Sequence, residues 1–154
     1  AASGNCNTLW NYQDLNAPLK QFCGYHMFSG CTSLTSAPEL PVTTLTKKCY
    51  YYMFWDCTSL ATAPELPATE LAESCYSYMF YGCTKLNYIK CLATDISANN
   101  CIDYWVDGVS STGTFIKNPD MNSWTIGVDG IPEGWTVKNN GDAGFNSSFN
   151  SSFK

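Results

Sequence analysis

The chain has 154 residues, a formal net charge of -5 and a sequence pI near 4.6, with 14% charged and 15% aromatic residues. Clustered Lys and Arg, which a nucleic-acid surface needs to displace counterions, are missing. No apolar run reaches 18 residues, so the sequence predicts no membrane span and no membrane insertion. Nine cysteines point to an oxidising compartment. The sequence starts at Ala1 and not at Met, which reads as a mature or excised segment whose export signal has been removed. The expected location is secreted or cell surface.

Residues 1–22 read as a degenerate first coil. Cys6-Asn7-Thr8-Leu9 matches Cys31-Thr32-Ser33-Leu34, and Leu19 matches Leu45 after a one-residue deletion. Residues 23–109 hold three near-copies of a 26-residue unit, beginning at Cys23, Cys49 and Cys75, and the first half of a fourth. A period of this size marks stacked repeats. Like residues form columns: Met27/Met53/Met79/Trp105, Phe28/Phe54/Phe80/Val106, Leu34/Leu60/Leu86 and Leu40/Leu66/Leu92. Each column would pack on itself in the neighbouring copies, giving a core of ladders. The extended bias of residues before proline suggests a short strand at Leu40 and Leu66 in APELP. The CYxxMFxGC stretch suggests a turn of helix or 3₁₀ helix. Residues 110–138 break into Gly- and Pro-punctuated segments, TGTFIK, NSWTIGV and GIPEGWTV, expected as the short strands of a C-terminal β cap. Residues 139–154 are a polar tail in which Phe145, Phe149 and Phe153 recur every four residues between Asn-Ser-Ser units, suggesting a docking or assembly element.

The motif MFxGCTSLxxAPELPxTxL resembles the leucine-rich repeats of BspA-like bacterial surface proteins. Phe28, Cys31, Leu34, Leu40, Pro41 and Leu45 carry the likeness in the first full copy, and Phe54, Cys57, Leu60, Leu66, Pro67 and Leu71 in the second. The third copy keeps Phe80, Cys83, Leu86, Leu92 and Ile96 but replaces APELP by IKCLA. The resemblance implies a leucine-rich-repeat solenoid of about four coils. It also implies a secreted or surface-exposed binding and adhesion module without catalytic residues.

Eight of the cysteines fall in two columns. One reading is a buried ladder of free thiols. The other is a disulfide framework. Pairing within each CYxxMFxGC segment strands Cys6 and Cys101. Pairing Cys6–Cys23, Cys31–Cys49, Cys57–Cys75 and Cys83–Cys101 uses all eight, and fits the absence of a cysteine before Cys6 and the Val at position 109. The second pairing is the expectation. Cys91 is left over, in the column of Glu39 and Glu65, as a buried free thiol or an intermolecular link. The spacings and the single histidine fit no zinc site.

No nucleophile, phosphate-loop, dinucleotide or metal motif is present, so the sequence predicts no enzyme and no cofactor. His26 stands in a column with Tyr52, Tyr78 and Tyr104 and reads as one rung of an aromatic ladder. Tyr50, Tyr51, Tyr52, Trp55, Tyr76, Tyr78 and Tyr81 exceed what a core of Met, Phe, Leu and Cys can hold, so some must face solvent. Tyr51, Tyr52, Trp55, Tyr78 and Tyr81, with the acidic column of Glu39 and Glu65, are the candidate binding residues. The expected partner is a protein or glycan on a host or neighbouring cell surface. The alternative is a structural subunit that self-associates into a filament through its ends and its Phe-rich tail.

Overall fold

The computed structural model of the chain describes residues 21–142. The degenerate first coil, including Cys6, and the tail phenylalanines Phe145, Phe149 and Phe153 lie outside the described residues, apart from 21 and 22.

The CYxxMFxGC stretches form chained turns. Within the first, Tyr25, Met27, Ser29 and Cys31 each donate a backbone N–H to the carbonyl three residues back. The intervening residues send theirs to the next copy: Gly24 to Cys49 O, His26 to Tyr51 O, Phe28 to Met53 O and Gly30 to Trp55 O, at 2.6–3.1 Å. The same alternation joins 50–56 to 75–81 and 76–82 to 101–107. Every fourth residue is left-handed: Phe22, His26 and Gly30, then Lys48, Tyr52 and Asp56, then Ser74, Tyr78 and Gly82, then Asn100, Tyr104 and Gly108. Met27 N–H bonds to Gly24 O, which puts left-handed His26 at the third position of a tight turn, as a type II turn requires.

This overturns the expected leucine-rich-repeat solenoid with helical or 3₁₀ turns and a β cap. Among the described residues there is no helix, and the three strands form one open parallel sheet in a small domain. A left-handed residue at every fourth position cannot enter a right-handed helix. Alternate N–H groups leave for the next copy, so no i→i−4 ladder is built. The periodicity survives in the hydrogen-bond register just described and in the side-chain columns that stack along it.

The sheet consists of β1 (Tyr88–Cys91), β2 (Thr114–Lys117) and β3 (Thr136–Asn139), in the order β1-β2-β3. Ile89 pairs with Phe115, and Phe115 with Val137. The strand expected at Leu66 is a single bridge to Cys91, with further isolated bridges from Thr62 to Tyr88 and Glu70 to Asp95. Prolines 64 and 67 flank Glu65-Leu66 and remove two donors, which stops a ladder from propagating. The third copy lacks these prolines, and there a four-residue strand forms. NSWTIGV contributes no strand, only the bridge of Ile126 to Ile131.

The third copy also shifts register by one residue. Cys91, and not Leu92, stands beside Leu66, and it is buried while Leu92 is half-exposed. The assignment of Cys91 to the column of Glu39 and Glu65 is therefore corrected.

The core follows the columns. Phe28, Phe54 and Phe80 stack at 5.6 and 5.8 Å with their planes 7° and 5° apart. Met53, Met79, Leu60, Leu66 and Leu86 are fully buried. Trp105 takes the place of the next Met. It stacks on Tyr76 at 5.9 Å on one side and on Trp124 at 5.9 Å on the other, and its Nε1 donates to Gly130 O. The exposed N–H groups of the last turns are covered in the same region, with Tyr104 N–H on the Asp129 carboxylate at 2.6 Å and Val106 N–H on Val128 O.

Candidate functional site: an aromatic strip

The turns that build the core also build its opposite face. A left-handed residue at the third position of each turn holds its side chain out of the core, and successive copies align these side chains. His26 stacks on Tyr52 at 4.6 Å and 8°, Tyr52 on Tyr78 at 4.7 Å and 7°, and Tyr78 on Tyr104 at 5.4 Å and 22°. Two flanking columns widen the strip. Tyr25 stacks on Tyr51 at 5.5 Å, and Trp55 on Tyr81 at 6.3 Å. Edge-on contacts tie the columns together, among them Tyr51 with Tyr52 at 4.5 Å and Tyr52 with Trp55 at 6.1 Å. Each such pair is worth about 0.5–1.5 kcal/mol beyond its buried area. That offsets the roughly 1–2 kcal/mol that each left-handed residue costs.

The stacking decides what a ligand meets. Tyr52 and Tyr78 each carry a ring on both sides, so their faces are covered and only edges and hydroxyls reach solvent. Partial burial, followed by the neighbouring phenols, pushes both hydroxyls above the ordinary phenol range. At neutral pH Tyr52 and Tyr78 are therefore protonated phenols, and the hydroxyls of the strip form a comb of groups that can donate and accept.

Charge is uneven along the strip. Lys48 lies over the Tyr51 ring at 5.1 Å and the Phe22 ring at 5.6 Å. Asp107 takes the place after Tyr81 in its column, Asp103 follows Tyr51 and Ser77 in theirs, Asp129 caps Tyr104, and the Asp56 carboxylate lies against Gly82. Among the described residues the ion pairs are Lys47–Glu73 at 3.3 Å and Lys90–Glu65 at 3.7 Å, and neither uses these four carboxylates.

Of the candidate binding residues, the structure brings Tyr51, Tyr52, Trp55, Tyr78 and Tyr81 together in this strip. Tyr50 and Tyr76 are buried and stack on each other at 6.2 Å in the core. Glu39 and Glu65 lie elsewhere. They line an open groove of about 490 Å³ with Pro38, Pro41, Pro64 and Pro67, and Glu65 is partly neutralised by Lys90. Tyr25, Tyr104 and the aspartates were not singled out from sequence as binding residues. Tyr104 was visible as the last rung of the His26 column. The aspartates carry no repeat signal.

Three of the expected disulfides, Cys31–Cys49, Cys57–Cys75 and Cys83–Cys101, do not form, and Cys6 of the fourth lies outside the described residues. Cys31, Cys49, Cys57, Cys75, Cys83, Cys91 and Cys101 are free thiols. Each column of cysteines runs along its own ladder. Cys57 faces Cys31, and Cys83 faces Cys57. Cys75 faces Cys49, Cys101 and Cys91. The Cys31–Cys49, Cys57–Cys75 and Cys83–Cys101 partners belong to different ladders, and the Cys57 and Cys83 thiols instead donate to Phe28 O and Phe54 O at 3.0 Å. Cys91 is fully buried, which removes it as a link between chains. Burial raises the thiols of Cys49 and Cys91 to about 12. Thiols that resist ionisation are poor nucleophiles and poor metal ligands. Among the described residues no group of three His, Cys, Asp or Glu is placed to hold a metal ion.

In comparison with known proteins, no family model, no curated protein and no solved structure matches the chain.

Proposed function

We propose that the chain is an exported cell-surface binding or adhesion module that takes its ligand on the aromatic strip, without catalysis. The observation that carries this reading is the surface row of half-buried Tyr51, Tyr52, Trp55, Tyr78 and Tyr81, ending in exposed Tyr25 and Tyr104. Contiguous exposed aromatic surface of this kind is a mark of an interaction site, and Tyr and Trp give large, rigid contact area at low entropic cost. The motif's resemblance to BspA-like surface proteins supports the same reading. The test is adhesion of beads coated with the chain to cultured cell surfaces and to immobilised glycoproteins. The triple variant Tyr52→Ser, Tyr78→Ser, Tyr81→Ser is run beside it, with circular dichroism to verify the fold. Adhesion that falls at least about tenfold in the folded variant supports the strip. Equal adhesion by both proteins sinks it.

A further inference from the structure

We infer that the partner of the aromatic strip is a basic polypeptide segment, an extended stretch carrying several Lys or Arg side chains. The inference rests on the binding reading above and names the chemistry of the ligand.

Three observations select this occupant. First, Asp56, Asp103, Asp107 and Asp129 border the strip, against Lys48 as the one lysine over its rings among the described residues, and the described ion pairs use none of these aspartates. Charges arranged in this way attract cations and repel anionic surfaces. Second, the faces of Tyr52 and Tyr78 are taken up by their neighbours in the stack. A sugar ring has no open aromatic face to lie on at these two central rings, whereas peptide N–H and C=O groups can pair with the comb of hydroxyls. Third, a second copy of this chain is a poor occupant. It contains no arginine, carries a formal charge of -5, and would bring the same carboxylates against this face. In the proposed complex the phenol hydroxyls bond the segment's backbone and polar groups. Its ammonium or guanidinium groups reach Asp103 and Asp107 at one end and Asp56 beside Trp55.

The experiment is titration of the full chain with a fluorescent oligolysine peptide at low and high salt, with an oligoglutamine peptide of equal length as the neutral comparison. Binding of oligolysine and not oligoglutamine is expected, weakening with salt as exposed charge pairs do. Neutralising the strip with Asp56→Asn, Asp103→Asn and Asp107→Asn together should weaken binding about tenfold, at the modest value of each exposed pair. Removing three distant carboxylates with Glu39→Gln, Glu70→Gln and Asp120→Asn should change it less than about twofold. Tyr52→Ser with Tyr78→Ser should weaken it as well, and tyrosine ring NMR shifts in the wild type should report contact at the strip. Equal losses from the two carboxylate sets would mean general charge attraction, and the inference falls. Suppose oligolysine does not bind, or an amino-sugar oligomer displaces it more effectively, while bead adhesion still depends on Tyr52 and Tyr78. Then the basic polypeptide is wrong and the binding strip stands. Loss of both results removes both.

Discussion

Tyr52 and Tyr78 stack at 4.7 Å with their planes 7° apart, and both sit on left-handed backbone, at φ 59° and 56°. The two facts have one cause. The left-handed residue ends a tight turn, and the turn of the next copy repeats it directly alongside. The position is thus held by ring stacking against a backbone preference. That makes an unusual substitution order testable. Tyr78→Ala loses the stack and keeps the strained φ. Tyr78→Gly loses the same stack but relieves the strain. Glycine should be the more stable of the two by about 1–2 kcal/mol, the cost of a left-handed L-residue, reversing the usual order. Urea denaturation of the pair measures it directly.

The thiol ladders give a second prediction. Cys57 and Cys83 are fully buried, and each thiol donates to a carbonyl of the preceding copy at 3.0 Å. A thiol-reactive dye added to the native protein should leave both unlabelled, and unfolding in denaturant should expose them. Peptide mapping without reductant should return them as free thiols. Recovery of a Cys57–Cys75 linked peptide would refute the arrangement. Cys57→Ala should cost about 1–3 kcal/mol, because it opens a cavity in a closed core and removes one of the two donors to the Phe28 carbonyl, which keeps the Cys31 N–H.

Alkaline pH should weaken the fold through the same groups. Burial raises Cys49 and Cys91 from 9.0 to about 12. Above pH 9 the unfolded chain loses these thiol protons while the folded chain keeps them, so the unfolded state binds fewer protons and is favoured. Stability should therefore be flat below about pH 9 and fall steadily towards pH 12, each thiol contributing up to about 1.4 kcal/mol per pH unit. Melting temperature measured from pH 7 to 11 checks the sign, and Cys91→Val should make the fall shallower.

The sequence made some of this legible. Its 26-residue period located the copies, the buried Phe column, the Met column, which is buried at Met53 and Met79 and exposed at Met27, and the His26/Tyr52/Tyr78/Tyr104 row. Their local conformation was not legible. CYxxMFxGC has helical-looking spacing, yet its left-handed positions are filled by His26, Tyr52 and Tyr78, which carry no propensity for φ above zero. A glycine column would have shown it, and that signal is present only at Gly30, Gly82 and Gly108, broken by Asp56. The disulfide expectation failed for a similar reason. Counting cysteines along the chain favours partners across a loop, whereas packing in register brings each one to its own counterpart 26 residues away. The acidic border of the strip carries no periodic signal, because Asp56, Asp103 and Asp107 stand at repeat positions where no other copy has an aspartate, and Asp129 lies beyond the repeats.

Two glycines separate crowding from backbone freedom. Gly113 precedes β2, and its carbonyl accepts the N–H of Thr136 in β3. A methyl group there would come within 2.6 Å of Asn87 O and 2.7 Å of the Trp135 ring. Neither neighbour is free to retreat. Asn87 O accepts Thr114 N–H, and Trp135 is buried with its Nε1 on Ser110 O at 2.7 Å. Gly30 has open space around it but lies at φ 74°, so a side chain there meets only the left-handed penalty. Gly30→Ala should cost about 1–2 kcal/mol. Gly113→Ala keeps a permitted backbone and should cost about 1–3 kcal/mol from overpacking, and it alone should disturb the Trp135 environment and the β2–β3 register. Amide exchange at Thr136, faster in Gly113→Ala and unchanged in Gly30→Ala, would show that the sheet is closed by that missing side chain. Equal exchange in the two variants would mean that Trp135 moves aside without opening the sheet.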